Sequence, residues 1–251
     1  KRDEVVVVNE FDNLLVTLDS LLTIDECSSL VNKANLKGWK DSSPSGGGNG
    51  RTGREDPRTN KFCVFYDEEF AKLLWSRVSS FLPPDLSHIP HNTYLDSQTK
   101  GKEWKPVGVV DKLRLYKYEV GEEFPEHVDY KSGRDIVRVV DNTPQRFRQQ
   151  TFVTLLVYLN DDFEGGTTNY WTDHEGIHCR FLRDVEEKEP SHKLKPITGR
   201  AVLQEQNILH EGSPPTKGTK YILRTDIIHE KFRPLHPKTK LAKKDLLPHV
   251  A

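Results

Sequence analysis

The hydrophobic pattern of the chain changes period near residue 111. Before that point two segments carry apolar residues at helical spacing; beyond it they alternate or run on continuously, as strands do. The first helix is predicted in "TIDECSSLVNKAN", where Ile24, Cys27, Leu30 and Val31 share a face and Thr23 with Glu26 forms a capping box. It is expected to stop near Gly38. The second lies in "DEEFAKLLWSRVSSFLPP". Phe70, Leu73, Leu74, Val78 and Phe81 recur at helical spacing, Asp67, Glu68 and Glu69 suit the positive end of the helix dipole, and Pro83-Pro84 close it. Residues 5–22 read as one or two short strands, and 83–109 shows no period. From 111 onward come "KLRLYKYEV", "TFVTLLVYL", "GIHCRFL", "AVLQEQNIL" and "KYILRTDII". The first alternates, with Leu113 and Leu115 on one face. "FVTLLVYL" is nearly continuous, the pattern of a central strand covered on both sides. No helix interrupts this half, so an antiparallel sandwich or barrel is predicted.

Three segments lack an apolar period. Residues 41–60, which end in "GGGNGRTGREDPRTN", are expected to form a mobile loop, either a plain linker or a lid that orders on substrate. Residues 171–195 form a polar stretch between predicted strands. His174, His178 and Cys179 there raise the idea of a second metal site, but no fourth ligand accompanies them, and exposed hairpin residues are expected instead. The tail at 236–250, with four lysines, reads as a solvated extension.

The chain of 251 residues is long enough for a substantial core, and its formal net charge of −1 gives no overall attraction to polyanions, so no nucleic-acid partner is expected. The longest apolar runs, such as "VVVV" at 5–8, are too short to span a bilayer, and no membrane segment is expected in this stretch of chain. Three scattered cysteines, Cys27, Cys63 and Cys179, make no disulfide framework or zinc ribbon, and there is no N-x-[ST] sequon. Both features lean toward a reducing, cytoplasmic compartment. The sequence starts at Lys1 and contains no methionine, which leaves open a removed signal or anchor segment.

Candidate chemistry enters at "PEHVDY", residues 125–130. On a strand, side chains at i and i+2 share a face, so His127 and Asp129 would project together. Such a pair is a metal clamp or an ordinary solvated His–Asp couple. A third ligand is on offer in "LHEG", where His210 stands 81 residues beyond Asp129. Two imidazoles and one carboxylate on one side of an ion suit non-haem Fe(II) and leave coordination positions open. Lys220 follows His210 by ten residues, after the turn-rich "SPPTKG", so its strand should return beside the one that carries His210. A lysine inside a barrel implies an anionic ligand or a carboxylate neighbour. Arg224, four residues on, falls on the same strand face, and either cation is a candidate anion clamp.

The segments "LRLYKYEVGEEFPEHVDY", "DFEGGTTNY" and "LHEGSPPTKGTKYILRTD" together resemble the prolyl 4-hydroxylase-like branch of the Fe(II)/2-oxoglutarate-dependent dioxygenases. The likeness runs from about Lys112 to Ile228, and more faintly through "DPRTNKF" at 56–62 to the N-terminal helices. It implies a mostly β chain with flanking helices (α+β): a double-stranded β-helix, or jelly-roll, cupin-like core, with the N-terminal helices packed on one sheet. By position, it implies that His127, Asp129 and His210 ligate iron and that Lys220 and Tyr118 hold the distal carboxylate of 2-oxoglutarate, with Arg224 as the alternative clamp. Tyr118 can also be read as a packed core tyrosine, and "EGGTT" as a tight turn. The family's chemistry is oxidative decarboxylation of 2-oxoglutarate by O2 to succinate and CO2, coupled to hydroxylation of an unactivated C–H bond, with ascorbate as reductant. It calls for no catalytic residue beyond the metal centre.

Three positions depart from the peptidyl-proline pattern. Thr151 stands where those enzymes carry an arginine, with Arg146 and Arg148 nearby; Asp226 stands where a tryptophan is common; Phe124 replaces a tyrosine. The substrate is therefore read as a prolyl residue of a peptide or protein, or else a small molecule or free amino acid. A non-catalytic cupin-like binding module that kept the clamp is the third reading. The expected organisation is an N-terminal support region (1–110) with its loop at 41–60, a dioxygenase core (111–232) and a tail (233–251).

Overall fold

Cys27, Leu30 and Ala34 on one helix and Ala71, Leu74 and Val78 on the other are buried in a single cluster, so both apolar stripes face the same sheet. In the computed structural model, which describes residues 5–11, 15–42, 58–87, 103–172 and 189–233, these helices are α1 (Ile24–Lys37) and α2 (Glu68–Val78). Thr23 Oγ1 accepts from the Glu26 backbone at 3.2 Å, and Glu26 Oε2 accepts from the Thr23 backbone at 2.8 Å, so the capping box forms as read. Glu26 has a second partner: Arg77 of α2 reaches its two oxygens at 2.6 and 2.8 Å. That bidentate contact holds the Glu26 carboxyl down at about 2 and ties the start of α1 to the end of α2.

The strands run β1 (Val7–Phe11), β2 (Leu15–Leu18), β3 (Lys40–Asp41), β4 (Lys61–Tyr66), β5 (Lys105–Val109), β6 (Lys112–Tyr118), β7 (Phe124–His127), β8 (Gly133–Val140), β9 (Thr143–Tyr158), β10 (Glu164–Gly165), β11 (Thr168–Trp171), β12 (His192–Leu194), β13 (Ala201–Glu205), β14 (Leu209–Gly212), β15 (Pro215–Lys217) and β16 (Lys220–Arg233). The major sheet has the order β1-β2-β13-β9-β16-β6-β4-β3, with β5 added on β16 and β8 on β9; the minor sheet has the order β12-β11-β14-β7. Every pairing is antiparallel.

Alternation along each strand splits the side chains of the major sheet. Leu113, Leu115, Val153, Leu155, Val157, Leu203 and Leu223 go to the helices. Tyr116, Tyr118, Leu156, Tyr158, Val202 and Ile222 go to the interior, where Tyr170, Leu194 and Ile208 from the minor-sheet side meet them. This is the double-stranded β-helix with helices on one sheet, as expected. The strand "FVTLLVYL" is central, lying between β13 and β16.

The strand from Lys220, expected beside the one that carries His210, joins the other sheet, where it pairs with β6 and β9 while β14 pairs with β7 and β11. Three further details differ from the sequence reading. A strand, β5, lies in the stretch read as irregular, recruited by pairing with the end of β16. "AVLQEQNIL" is not one strand but β13 and β14 around a turn. There Glu205 accepts from the Asn207 backbone and side chain at 2.8 Å each. Finally, β9 begins at Thr143, eight residues before its apolar run, and makes a hairpin with β8. Asp141 and Asn142 both take left-handed φ angles (48° and 59°), as a two-residue hairpin turn demands. The hairpin is rich in arginine on both faces, which hides its period.

Most of the expected loop (43–57), the central part of the polar stretch (173–188, with His174, His178, Cys179 and all of "GIHCRFL") and the tail from 234 lie outside the described residues. No helix among the described residues is long and apolar enough to cross a membrane.

Candidate metal centre

Strand β14 pairs with β7 so that His210 sits directly opposite His127. Opposed side chains on adjacent strands are near neighbours, and the two rings lie 4.2 Å apart between centroids. Asp129 is not on the strand, which ends at His127. Its place is set by a backbone bond instead: Asp129 N donates to Gln206 O at 2.8 Å, docking the segment after β7 on the turn between β13 and β14. The result is one cluster, His127, Asp129 and His210, whose ligand atoms all lie within 4.8 Å of one another. Among the described residues it is the one such group of three.

Both imidazoles are pre-set for a cation. His127 Nδ1 donates to Pro125 O at 2.7 Å and His210 Nδ1 to Ile208 O at 2.9 Å, which leaves each Nε2 with its lone pair. Those atoms face the carboxylate, His127 Nε2 at 4.0 Å from Oδ1 and His210 Nε2 at 3.9 Å from Oδ2. Burial pushes the His127 imidazole down to about 3, helped by His210 beside it, and burial lowers His210 as well. Both rings are therefore neutral at physiological pH. Burial alone would raise the Asp129 carboxyl, but the Arg224 guanidinium, with the Thr154 hydrogen bond, outweighs it and keeps it ionised. Two neutral nitrogens and one carboxylate are the donor set that suits a ferrous ion.

Asp129 is held on both oxygens. Arg224 Nη2 meets Oδ1 at 2.9 Å, and Thr154 Oγ1 donates to Oδ2 at 2.6 Å. Arg224 also reaches Asp226 Oδ1 at 3.3 Å. Arg224 does lie on the same interior face as Lys220, but its charge is taken up by two carboxylates rather than directed at open space.

Lys220 is placed differently. It pairs in register with Tyr118 across β16 and β6, is 1% exposed, and lies over the rings of Tyr118 (5.2 Å) and Tyr158 (6.0 Å). Among the described residues it makes no hydrogen bond and no ion pair, and burial drags its ammonium down to about 7, with Glu211 partly offsetting. The Tyr118 hydroxyl is buried and likewise makes no hydrogen bond among the described residues, and burial raises its pKa. The "EGGTT" turn contributes to this end of the interior. Gly166 has φ +63°, and a Cβ there would come within 2.7 Å of Phe163 and 3.2 Å of the Lys220 stem. A side chain at 166 would displace the lysine.

The polar residues that join these groups were not picked out from the sequence. Gln204 is fully buried; its Nε2 lies 3.0 Å from His210 Nε2 and 3.4 Å from Asp129 Oδ2, and its Oε1 accepts from the Tyr170 hydroxyl at 2.7 Å. Gln206 Nε2 donates to Asp226 Oδ1 at 3.0 Å. The signal was present: four polar residues in a row, Gln204 to Asn207, interrupt the apolar run of "AVLQEQNIL". Phe124 stacks on the His127 ring with centroids 3.4 Å apart, so the aromatic before H-x-D braces one ligand.

Residues 113–225 match the family model described as the 2OG-Fe(II) oxygenase superfamily. No curated protein matches the chain. Among solved structures, a prolyl hydroxylase of Trichoplax adhaerens in complex with a hypoxia-inducible-factor oxygen-degradation-domain peptide fragment is similar, with TM-score 0.53 and 18% identity over 86% of this chain and 83% of the other. Weaker likenesses are the viral collagen prolyl hydroxylase of Paramecium bursaria Chlorella virus-1 in its 2OG complex (TM-score 0.46, 20% identity, 86% and 96% of the chains) and a Pseudomonas putida prolyl-4-hydroxylase (0.48, 14%, 85% and 92%).

Proposed function

We propose that this chain, whose residues 113–225 match the 2OG-Fe(II) oxygenase superfamily model, is an oxygenase of that kind that hydroxylates an aliphatic C–H bond, with 2-oxoglutarate and O2 as cosubstrates and a prolyl residue of a peptide or protein as the target. One observation carries the reading: three ligand-type side chains converge within 4.8 Å in the same interior that buries an unpaired Lys220. His127, Asp129 and His210 would hold Fe(II), and Lys220 with Tyr118 would hold the far carboxylate of 2-oxoglutarate. The metal and cosubstrate supply the oxidising power. The chain's own residues orient and exclude. The Pro125 and Ile208 carbonyls fix the two imidazole rings, Thr154 and Arg224 fix the carboxylate, and Leu156, Ile222 and Tyr170 keep the interior dry. No acid–base side chain is assigned, and ascorbate is the proposed reductant.

A second reading, the same chemistry on a small molecule or free amino acid, is favoured by the ionic wall of Arg224 and Asp226 beside Asp129. The test is uncoupled turnover. Purified protein with Fe(II), ascorbate and 2-oxoglutarate should form succinate, further stimulated by the right peptide or metabolite. Confirmed Fe(II) binding without succinate under any of these conditions would instead favour a non-catalytic binding module.

The lysine makes a separate pH prediction. An ammonium that titrates near 7 in the free protein is neutral at pH 8. Its pairing with a carboxylate requires the charged form, so binding must then recharge it. With metal already bound, 2-oxoglutarate should take up about one proton at pH 8 and almost none at pH 6, and its affinity should fall as pH rises above 7. Calorimetry in two buffers of different ionisation enthalpy measures the uptake. Equal values at both pH values would remove Lys220 from the role.

A further inference from the structure

Four ionic side chains stand in a row in the interior beside the metal cluster, Asp129, Arg224, Asp226 and Arg114. The first three are tied to partners by hydrogen bonds or close ion pairs and the last is not. Strands β6 and β16 put Arg114 directly across from Arg224. Like charges so opposed repel, and the acid between them, Asp226, is committed mainly to one side. Its Oδ1 receives Gln206 Nε2 at 3.0 Å and Arg224 Nη2 at 3.3 Å, and Thr154 Oγ1, whose hydrogen goes to Asp129, lies 3.3 Å away. Its Oδ2 is approached by Arg114 Nη1 at 4.0 Å, too long for a hydrogen bond. Among the described residues Arg114 makes no hydrogen bond at all, so its guanidinium keeps all five donors.

Exposure adds the direction of approach. The Arg114 side chain is 29% exposed, and His127 and Arg224 are 18% and 17%, whereas Asp129, His210 and Asp226 are at 6–8%. Of the side chains in and beside the cluster, Arg114 is thus the most exposed to an incoming molecule.

We propose that Arg114 is a substrate-binding residue and that this subsite takes a carboxylate, so that the substrate of the oxygenase carries an acid group. The assignment rests on the oxygenase reading above and narrows its substrate. A guanidinium edge matches a carboxylate with two parallel hydrogen bonds. A phosphate would call for a second free cation, and Arg224 is already tied to Asp129 and Asp226. Asp226 Oδ2, beside Arg114 and without a hydrogen bond, suits an N–H or ammonium next to the acid, the arrangement of an α-amino acid head.

The experiment uses Mn(II), redox-inert here and paramagnetic, in the full chain saturated with 2-oxoglutarate. It measures manganese-induced relaxation of probe protons for propionate, propionamide, L-alanine, L-alaninamide and a doubly blocked aspartate. Propionate and L-alanine should bind about tenfold more tightly than their amides, as expected for loss of a charge-assisted pair. Arg114→Gln should erase the difference, Arg114→Lys should keep part of it, and both should bind Mn(II) as the parent does. Stronger relaxation of L-alanine than of the blocked aspartate assigns a free amino acid, and the reverse assigns an acidic residue within a peptide. Equal relaxation by acids and amides in the parent protein, or an acid preference that survives Arg114→Gln, would overturn the proposal. Should Arg114→Gln fail to bind Mn(II), Arg114→Lys decides by the same comparison. Failure of the parent protein to bind Mn(II) would overturn the metal reading and this subsite with it.

Discussion

His127→Ala is expected to abolish succinate formation and to weaken Fe(II) or Mn(II) binding by more than about 100-fold. That floor comes from the residues behind metal ligands, whose loss alone typically costs about 10- to 100-fold in affinity. A ligand itself must count for more. His127 is the cleanest of the three to remove. Its side chain is partly exposed, and what it leaves behind is a free Phe124 face and one backbone carbonyl, Pro125 O. Asp129→Ala would confound the result, because it strands the buried Arg224 guanidinium between one remaining acid and an apolar gap. Metal titration of the folded variant, checked by circular dichroism, gives the answer. Parent-like affinity in His127→Ala would show that the three side chains meet without forming an ion site.

The second large effect is on the cosubstrate. Lys220→Ala should raise the 2-oxoglutarate requirement by roughly 30- to 1,000-fold, since truncating one partner of a buried charge pair costs about 2–4 kcal/mol, while metal affinity changes little. The interior around the ammonium offers two aromatic rings and no acid within 4 Å among the described residues, so none of these substitutes for the ligand's charge. The same solitude makes a companion prediction for Lys220→Met, which fills the space without the charge. Without 2-oxoglutarate it should be more stable than the parent, because a buried unpaired ammonium is a cost of folding. A lysine lowered to about 7 in the folded chain from its ordinary 10.5 is penalised fully below pH 7 and not at all above its unfolded value. The gain in melting temperature should accordingly be largest at pH 6 and fade through pH 7–10. An unchanged 2-oxoglutarate requirement in Lys220→Ala would transfer the role to Arg224, despite its present engagement with Asp129 and Asp226.

The two cations illustrate where sequence reasoning stops. Spacing put Lys220 and Arg224 on one face of one strand, and they are on one face. Their chemical environments depend on what crosses from other strands at each level of the interior: tyrosines from β6 and β9 beside Lys220, carboxylates from the segment after β7 and from β16 itself beside Arg224. A one-dimensional pattern carries the period of a strand but not its neighbours. The same limit applies to Asp129, whose H-x-D spacing suggested a strand clamp, whereas the strand stops at His127 and a bond to Gln206 O places the acid.

What the sequence determined by itself is local and periodic. The capping box of α1, the apolar stripes of both helices, the alternation of β6 and the continuous run of β9 are written in residues close to one another in the chain, so propensity and patterning suffice to read them. The motif spacing also sufficed to nominate His127, Asp129, His210 and Lys220. Only the tertiary structure decided that β7 and β14 run side by side with the histidines opposed, that the arginine-rich segment at 133–150 is a hairpin extending the major sheet, and that an ionic row leads from Asp129 to Arg114. Those contacts join residues tens of positions apart, and their geometry follows from strand register, which is settled by the whole set of pairings at once.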